Sequence, residues 1–480
     1  MLFTEPLFLF IFLPALLAVY FVSPRRFRNP LLVSASLLFY SWGQKKYVIV
    51  LLASILLNYS IGRAIGRVEE IKRRRLVLLT GITANLLMLA ALKYPGFVVL
   101  NLNRITGLFH LGALPVQISR VPLGISFFTL MGMSYVIDVY REQIKAERKL
   151  GVFSLYISFF PYLIAGPIVR FANLTRELGD RRVDLAGFSA GIRRFVVGMG
   201  KKMLIANALS LTVDGIFRAQ LTQLSPGSAW LAALCYPLQL YFDISGYADM
   251  AIGLGLMFGF HLPENFNYPY VAQSMTDFWK RWHITLVEWF RDYLFFPMSY
   301  RRHAWRIHLN LILVFVLCGL WHEGSWKFIA WGLMHGSLLA LERLGLGRWL
   351  AAWPRIFRHL YVGLVIVISS VFVRAASLGD ALQFFRTMIG SQSTETMTAA
   401  GYLNWFLIVT LIIGALGCMP IVPLARKWLA ELGDRLGART GVLLDAGVGL
   451  FDLASLGLVF LACVSLSASG TYTPFIYFKY

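Results

Sequence analysis

Leu309–Leu341 reads LNLILVFVLCGLWHEGSWKFIAWGLMHGSLLAL. Two apolar runs, Leu309–Leu320 and Phe328–Leu341, flank a polar break that carries His322 and Glu323. Apolar runs of helical length belong to chains whose solvent is a bilayer, where about 20 such residues cross the hydrocarbon. An ionisable group inside such a stretch costs on the order of 2–3 kcal/mol if it faces lipid, so it faces an interior and marks a working site. The stretch therefore predicts a polytopic membrane protein with an imidazole held near a turn or break inside it.

The rest of the chain agrees. Of its 480 residues 58% are hydrophobic and 14% charged, more apolar surface than a soluble domain of this size needs. Mean hydropathy is +0.65. Leu76–Leu92, Val121–Val139, Ala229–Ser245 and Ala446–Ala468 are further candidate spans. The net charge of +21 falls in clusters between apolar runs, at Arg25–Arg28, Lys72–Arg75, Arg181–Arg182, Arg193–Arg194, Lys201–Lys202, Arg301–Arg302 and Arg426–Arg439. That spacing fits the positive-inside rule and anionic headgroups and leaves no basic soluble domain for nucleic acid. Cys235, Cys318, Cys418 and Cys463 lie in apolar stretches without metal-like spacing. Leu7–Val22 precedes its basic residues, which reads as a retained first span.

Threading the basic loops gives one integral-membrane domain, 1–480. Leu150–Ile168 has cytoplasmic-type flanks on both sides and a Gly166-Pro167 break, the pattern of a dip into the membrane and back. Asn265–Arg306, rich in aromatics and cations, reads as amphipathic helices at the cytoplasmic interface. The count puts the C-terminal tail outside.

Polar groups with chemical potential come in sets. Asp243, Ser245 and Asp249 share one apolar run. Asp277-Phe278-Trp279-Lys280-Arg281-Trp282-His283 sets a second histidine among cations and indoles, with Arg291-Asp292 beyond and His335 after His322. No H-x-x-H or H-x₃-H spacing puts two metal ligands on one helix face. Two chemistries stay open on residue type alone: a proton or ion pathway, and a general-base histidine. A purely structural histidine is the bland alternative for both rings. Trp279, Trp282 and Trp289 fit an aromatic belt, and Lys280, Arg281 and Arg291 fit either snorkelling cations or a phosphate grip.

Tyr241–Gly255 (YFDISGYADMAIGLG), Glu264–Pro297 (ENFNYPYVAQSMTDFWKRWHITLVEWFRDYLFFP), Leu320-Trp321-His322 and Trp331–Gly336 together resemble the signature of bacterial membrane-bound O-acyltransferases. Pro122–Phe128, Ile137–Arg141 and Phe159–Ile168 agree with it. Within that family the chain looks like the branch of the alginate O-acetyltransferase membrane subunit and its kin. The resemblance covers most of the chain to about residue 345. Lys280, Val287-Glu288 and Tyr162 depart from the usual pattern without removing a motif histidine. The tail Thr473–Tyr480 resembles the F-I-Y-F-x-[FY] terminus of acyl-relay systems.

The resemblance implies an all-α ring of about 11–12 tilted spans with re-entrant and interfacial helices around a central tunnel. It implies a transmembrane O-acetyltransferase of the bacterial inner membrane that serves an extracytoplasmic polysaccharide. His322, His283 and Tyr477 take the catalytic and relay roles. Lys280, Arg281, Arg291, Trp279 and Trp282 hold a donor, acetyl-CoA, and Asp243, Ser245, Asp249 and Asn267 line the tunnel. No metal is expected. The implied partners are an SGNH or esterase-like transferase outside, the polysaccharide and the bilayer. A flippase or transporter of an acylated carrier or glycan is the alternative.

Overall fold

The structure is a computed structural model and describes residues 1–115, 121–300, 303–391, 397–436, 438–470 and 475. Among these residues there is no strand, and pairing is limited to the isolated bridges Leu224–Met397 and Phe266–Trp282. Six helical stretches are long and apolar enough to cross a bilayer: Arg25–Ile65, Ile71–Lys93, Leu185–Arg218, Trp305–His322, Arg355–Arg374 and Thr440–Ala468. A seventh arises if Trp405–Gly417 and Ile421–Arg435, bent by 60°, form one span. The other apolar segments are shorter or broken, as Phe8–Val22 and Ile125–Tyr140 are. The chain is a multi-pass membrane protein.

Ten helices position the site: α1 Ile71–Lys93, α2 Ile125–Tyr140, α3 Leu185–Arg218, α4 Pro226–Met257, α5 Met275–Arg281, α6 Ile284–Phe290, α7 Ala304–His322, α8 Trp326–Leu341, α9 Arg355–Arg374 and α10 Ala438–Ala468. The central pillar is α4, buried at nearly every residue from Tyr241 to Gly255.

Glycines explain how the pillar and the site hairpin assemble. A Cβ on Gly191 of α3 would lie 2.6 Å from the Gly253 carbonyl of α4, and one on Gly198 would lie 2.6 Å from the Gly246 carbonyl. The two backbones touch, a packing that small residues permit between helices in lipid. The α7–α8 hairpin repeats the device. A Cβ on Gly319 would strike the Phe328 carbonyl, one on Gly332 the Phe315 carbonyl, and one on Gly336 would sit 2.7 Å from Ile312 Cα.

Two short helices, Leu150–Ser158 and Phe160–Leu163, occupy the segment with cytoplasmic-type flanks on both sides. Irregular backbone follows, buried through Val169. Its polar groups find partners inside the protein. Phe160 N–H donates to Ser36 Oγ at 3.1 Å, and Ile168 N–H donates to Thr285 Oγ1 at 2.9 Å. Such backbone is tolerated at membrane depth only when protein satisfies it.

Candidate active site

His322 is the last residue of α7. Its position is fixed by the end of a distant helix. Lys93, closing α1, donates from Nζ to the Trp321 carbonyl at 2.5 Å and to Ser126 Oγ at 2.8 Å. Tyr94 OH donates to the Leu320 carbonyl at 3.1 Å. The last carbonyls of a helix lack internal partners and carry partial negative charge, so an ammonium and a phenol there act as a cap. After His322 the chain turns sharply into α8. Glu323 pairs with Lys327 at 3.2 Å, and Lys327 donates to the Ala375 carbonyl at 2.8 Å.

Aromatic rings frame the imidazole. Its centroid lies 4.9 Å from Trp321, 5.6 Å from Trp331 and 5.8 Å from Phe328, the last stacked at 22°. The His283 ring is 6.5 Å away. Thus 39 residues of sequence separation close into one pair of histidines.

His283 reaches this place through a local strain. It is the N-cap of α6 with φ 49°, a left-handed conformation that side chains with a Cβ rarely adopt. A short antiparallel pairing imposes it. Asn267 N–H donates to the Arg281 carbonyl and Ile284 N–H to the Asn265 carbonyl, both at 2.9 Å. Asn265 Oδ1 accepts from Thr285 N–H and Oγ1. The quoted Glu264–Asn267 and Arg281–Thr285 segments are therefore one structural unit. His283 lies between the spans and is 2% exposed. Burial pushes its pKa down to about 3, so the ring is neutral.

His322 lines two cavities. The larger, about 770 Å³ including its open mouth, is walled by Trp279, Trp282, Trp331, Phe278, His335 and Ile366 among others. The smaller, about 450 Å³, is walled by Lys93, Ser126, Trp321 and the Pro122–Phe127 turn that starts α2. One hollow is apolar, with Ser369, Ser370, His322 and His335 among its few polar groups, and His283 lines neither hollow. The other holds an ammonium and a hydroxyl. This combination of an apolar pocket and a few convergent polar groups is what a small-molecule site needs.

The other expected site residues fall in different places. Trp279 and Trp282 wall the larger cavity, and Trp279 Nε1 has no hydrogen-bond partner among the described residues. Lys280 is exposed and makes no ion pair among the described residues. Arg281 pairs with Asp277 at 2.8 Å and Arg291 with Asp292 at 2.6 Å. Asp292 also binds Arg170 at 2.6 Å. Burial alone would raise its carboxyl, but the Arg291 and Arg170 guanidiniums outweigh that and hold it below the usual carboxylate range.

Neither of the two cavities is lined by Asp243, Ser245, Asp249 or Asn267. Asp243 pairs with Lys202, and Asp249 pairs with Arg194 at 2.8 Å and Lys201 at 2.6 Å. Ser245 is buried, and Asn267 is exposed with its backbone paired to Arg281. Tyr477 lies outside the described residues, as do Arg301 and Arg302.

Sequence reading passed over Lys93, Tyr94 and Glu342. The Glu342 carboxylate accepts from Met275 N–H, Thr276 N–H and Oγ1, and Tyr361 OH, at 2.6–3.1 Å. It thereby satisfies the free N–H groups that begin α5 and fixes the helix bearing Trp279. The only available signal was a charge abutting an apolar run, since each of these contacts spans at least 19 residues.

Residues 148–372 match the sequence profile described as MBOAT, the membrane-bound O-acyltransferase family. A probable alginate O-acetylase of Azotobacter vinelandii is 36% identical over the whole of both chains. A peptidoglycan O-acetyltransferase of Helicobacter pylori is 36% identical over 81% of this chain and 80% of its own. A teichoic acid D-alanyltransferase of Bacillus subtilis is 30% identical over 45% of this chain and 58% of its own.

Proposed function

Since the chain belongs to the membrane-bound O-acyltransferase family, and so is an O-acyltransferase, we propose that it moves acetyl groups across a bacterial inner membrane to modify an extracytoplasmic polysaccharide. The observation that carries this reading is the placement of one imidazole, His322, on the walls of both cavities. Donor and acceptor need never share a compartment if each reaches the same ring from its own side.

Topology supports the assignment of sides. The helix α1 begins in the basic cluster Lys72–Arg75 and ends at Lys93, 23 residues in all. At 1.5 Å per residue that is about 34 Å, a full bilayer crossing. Positive-inside logic puts the basic end in the cytoplasm, so the smaller cavity belongs to the far side. The larger cavity is walled by Phe278, Trp279 and Trp282 of the interfacial segment, the side on which a cytosolic thioester arrives. Lys280, Arg281 and Arg291 provide cations for the phosphates of acetyl-CoA, although two of the three already share their charge with carboxylates.

The chemistry follows from general-base catalysis. His322 takes the proton of an acceptor hydroxyl as its oxygen attacks the thioester carbonyl. The new C–O bond forms, the C–S bond breaks, and the thiolate recovers the proton from the imidazolium. His283, neutral and with its ring 6.5 Å from that of His322, orients the thioester by way of that neighbour, since it lines neither cavity itself. Lys93 supplies positive charge beside the developing oxyanion. In this reading the acceptor hydroxyl is that of Tyr477, and an SGNH-type partner outside takes the acetyl group onward.

Replacing His322 with Ala in a folded, inserted protein is the test. Loss of acetyl transfer by at least about 100-fold is expected. Normal glycan acetylation would refute the base role. Tyr477→Phe separates the relay from direct transfer, because retained acetylation would exclude the relay. Glycan movement by the purified protein without acyl turnover would favour the transporter alternative.

A further inference from the structure

We propose that the protein contains an interior seat for its own C-terminal segment, built by Tyr247, Lys202 and the N-terminal residues Phe3 and Thr4, with Phe475 as the residue that occupies it.

Phe475 follows α10 by seven residues and is 1% exposed, part of the main hydrophobic core. A chain end that merely trailed in water would leave such a ring accessible. Its neighbours are specific. The ring meets Tyr247 edge-on at 5.0 Å, and Lys202 Nζ lies 4.5 Å from its centroid. Both are favoured geometries, edge-to-face for the aromatic pair and cation over ring face for the ammonium.

The seat is assembled from distant parts of the chain. Phe3 stacks on Tyr247 at 5.0 Å, so the tyrosine has a ring from the N-terminal segment and one from the C-terminal segment against it. Ser467 Oγ, at the end of α10, donates to the Thr4 carbonyl at 2.8 Å and ties the N-terminal residues to the helix that delivers the tail. Thr4 is fully buried, and its hydroxyl has no hydrogen-bond partner among the described residues. A polar atom buried so deeply calls for a partner.

Lys202 and Asp243, each 2% exposed along its side chain, form an ion pair beneath Phe475. A π-helical turn, Lys201–Ala206, presents Lys202 to Asp243 and Lys201 to Asp249. Such turns recur at functional sites. A buried ion pair costs more than an apolar filling of the same space. Its presence is accounted for if the ammonium is there to hold an aromatic ring that has to be recognised. Asp243 is then part of the seat.

The purpose of the seat rests on the relay reading given above. Tyr477 comes two residues after Phe475, a span of at most about 7 Å of extended chain. Fixing Phe475 therefore fixes the region in which that phenol can collect an acetyl group. Phe475 is a positioning residue.

Two measurements test this separately from the relay. A photoreactive benzoylphenylalanine replacing Phe475, irradiated in native membranes, should cross-link to peptides containing Tyr247, Lys202 or Phe3. Cross-links confined to lipid or to extracytoplasmic loops would overturn the seat. The second measurement is mass spectrometry of the tail peptide after supply of acetyl-CoA. Phe475→Ala should lower acetyl on Tyr477 by about ten-fold or more, whereas Phe475→Trp keeps a ring over Lys202 and should restore most of it. Equal loading in Phe475→Ala would overturn the positioning role. If the unsubstituted protein acetylates glycan with no acetyl on Tyr477, the relay reading falls and the cross-link still decides the seat.

Discussion

At the scale of single residues, the site depends on how His322 is held. Lys93 and Tyr94 cap the helix that ends in it, and Trp321, Trp331 and Phe328 surround its ring. Lys93→Met removes the ammonium and leaves the Trp321 carbonyl and Ser126 hydroxyl without it. The expected result is a roughly 10- to 100-fold fall in acetyl transfer with His322 intact, because a displacement near 1 Å can cost that much. Lys93→Arg, which keeps a cation, should recover part of the rate in the same membrane assay. Unchanged transfer by Lys93→Met would dismiss the cap as a catalytic support. The histidines themselves were legible because L-W-H and R-W-H stand in unusual company within apolar sequence. Lys93 was not, because its partner is 228 residues away and an amine at the end of a hydrophobic run resembles any snorkelling lysine. Asp243 and Asp249 stood out for their cost in an apolar setting, but nothing local disclosed the lysines and arginine 41–55 residues upstream that neutralise them.

At the scale of elements, two designs decide the architecture. One is the glycine seam, α3 against α4 and α7 against α8. Gly332→Val would drive two methyl groups into the Phe315 carbonyl and part the hairpin that carries His322. A loss of roughly 1–3 kcal/mol is expected, read as a lower melting temperature in detergent. Stability equal to the unsubstituted protein would show that the hairpin relaxes freely. The other design is the acid that caps α5. Glu342→Ala removes the acceptor for four donors and should loosen Trp279 and Trp282, raising KM for the thioester more than it lowers kcat. Glu342→Gln keeps one acceptor and should lie between the two, so identical kinetics for all three would exclude the role. Helix identity was readable from apolar runs, and the break near Gly166 from its flanking charge. The exchange of backbone bonds between Asn265–Asn267 and Arg281–Ile284 was not, since a pairing this short leaves no alternation to detect.

At the scale of the molecule, distant parts of the chain converge on one aspartate. Arg141, Arg170 and Arg291 all meet Asp292, at its carbonyl or carboxylate. Its native pKa lies below the unfolded value of about 3.9. The native form therefore binds fewer protons than the unfolded chain in that range. The resulting stabilisation is complete above pH 4 or so and disappears as pH falls through the lower native pKa. Asp292→Asn should flatten the acid limb of a melting-temperature profile, and an unaltered limb would contradict the assignment. The larger cavity admits a steric test as well: Ser370→Trp would occupy it and should abolish thioester turnover while leaving insertion intact. The seams carry a last consequence. Helices whose backbones lie against each other, carbonyl to glycine, resist sliding, because any larger atom at the seam would collide. The proposed acyl transfer asks for no such sliding, because a stationary frame can hand on a small group. Bolting α3 to α4 by an engineered disulfide should leave the catalytic rate as it was, and a fall in rate would show that the seam has to move.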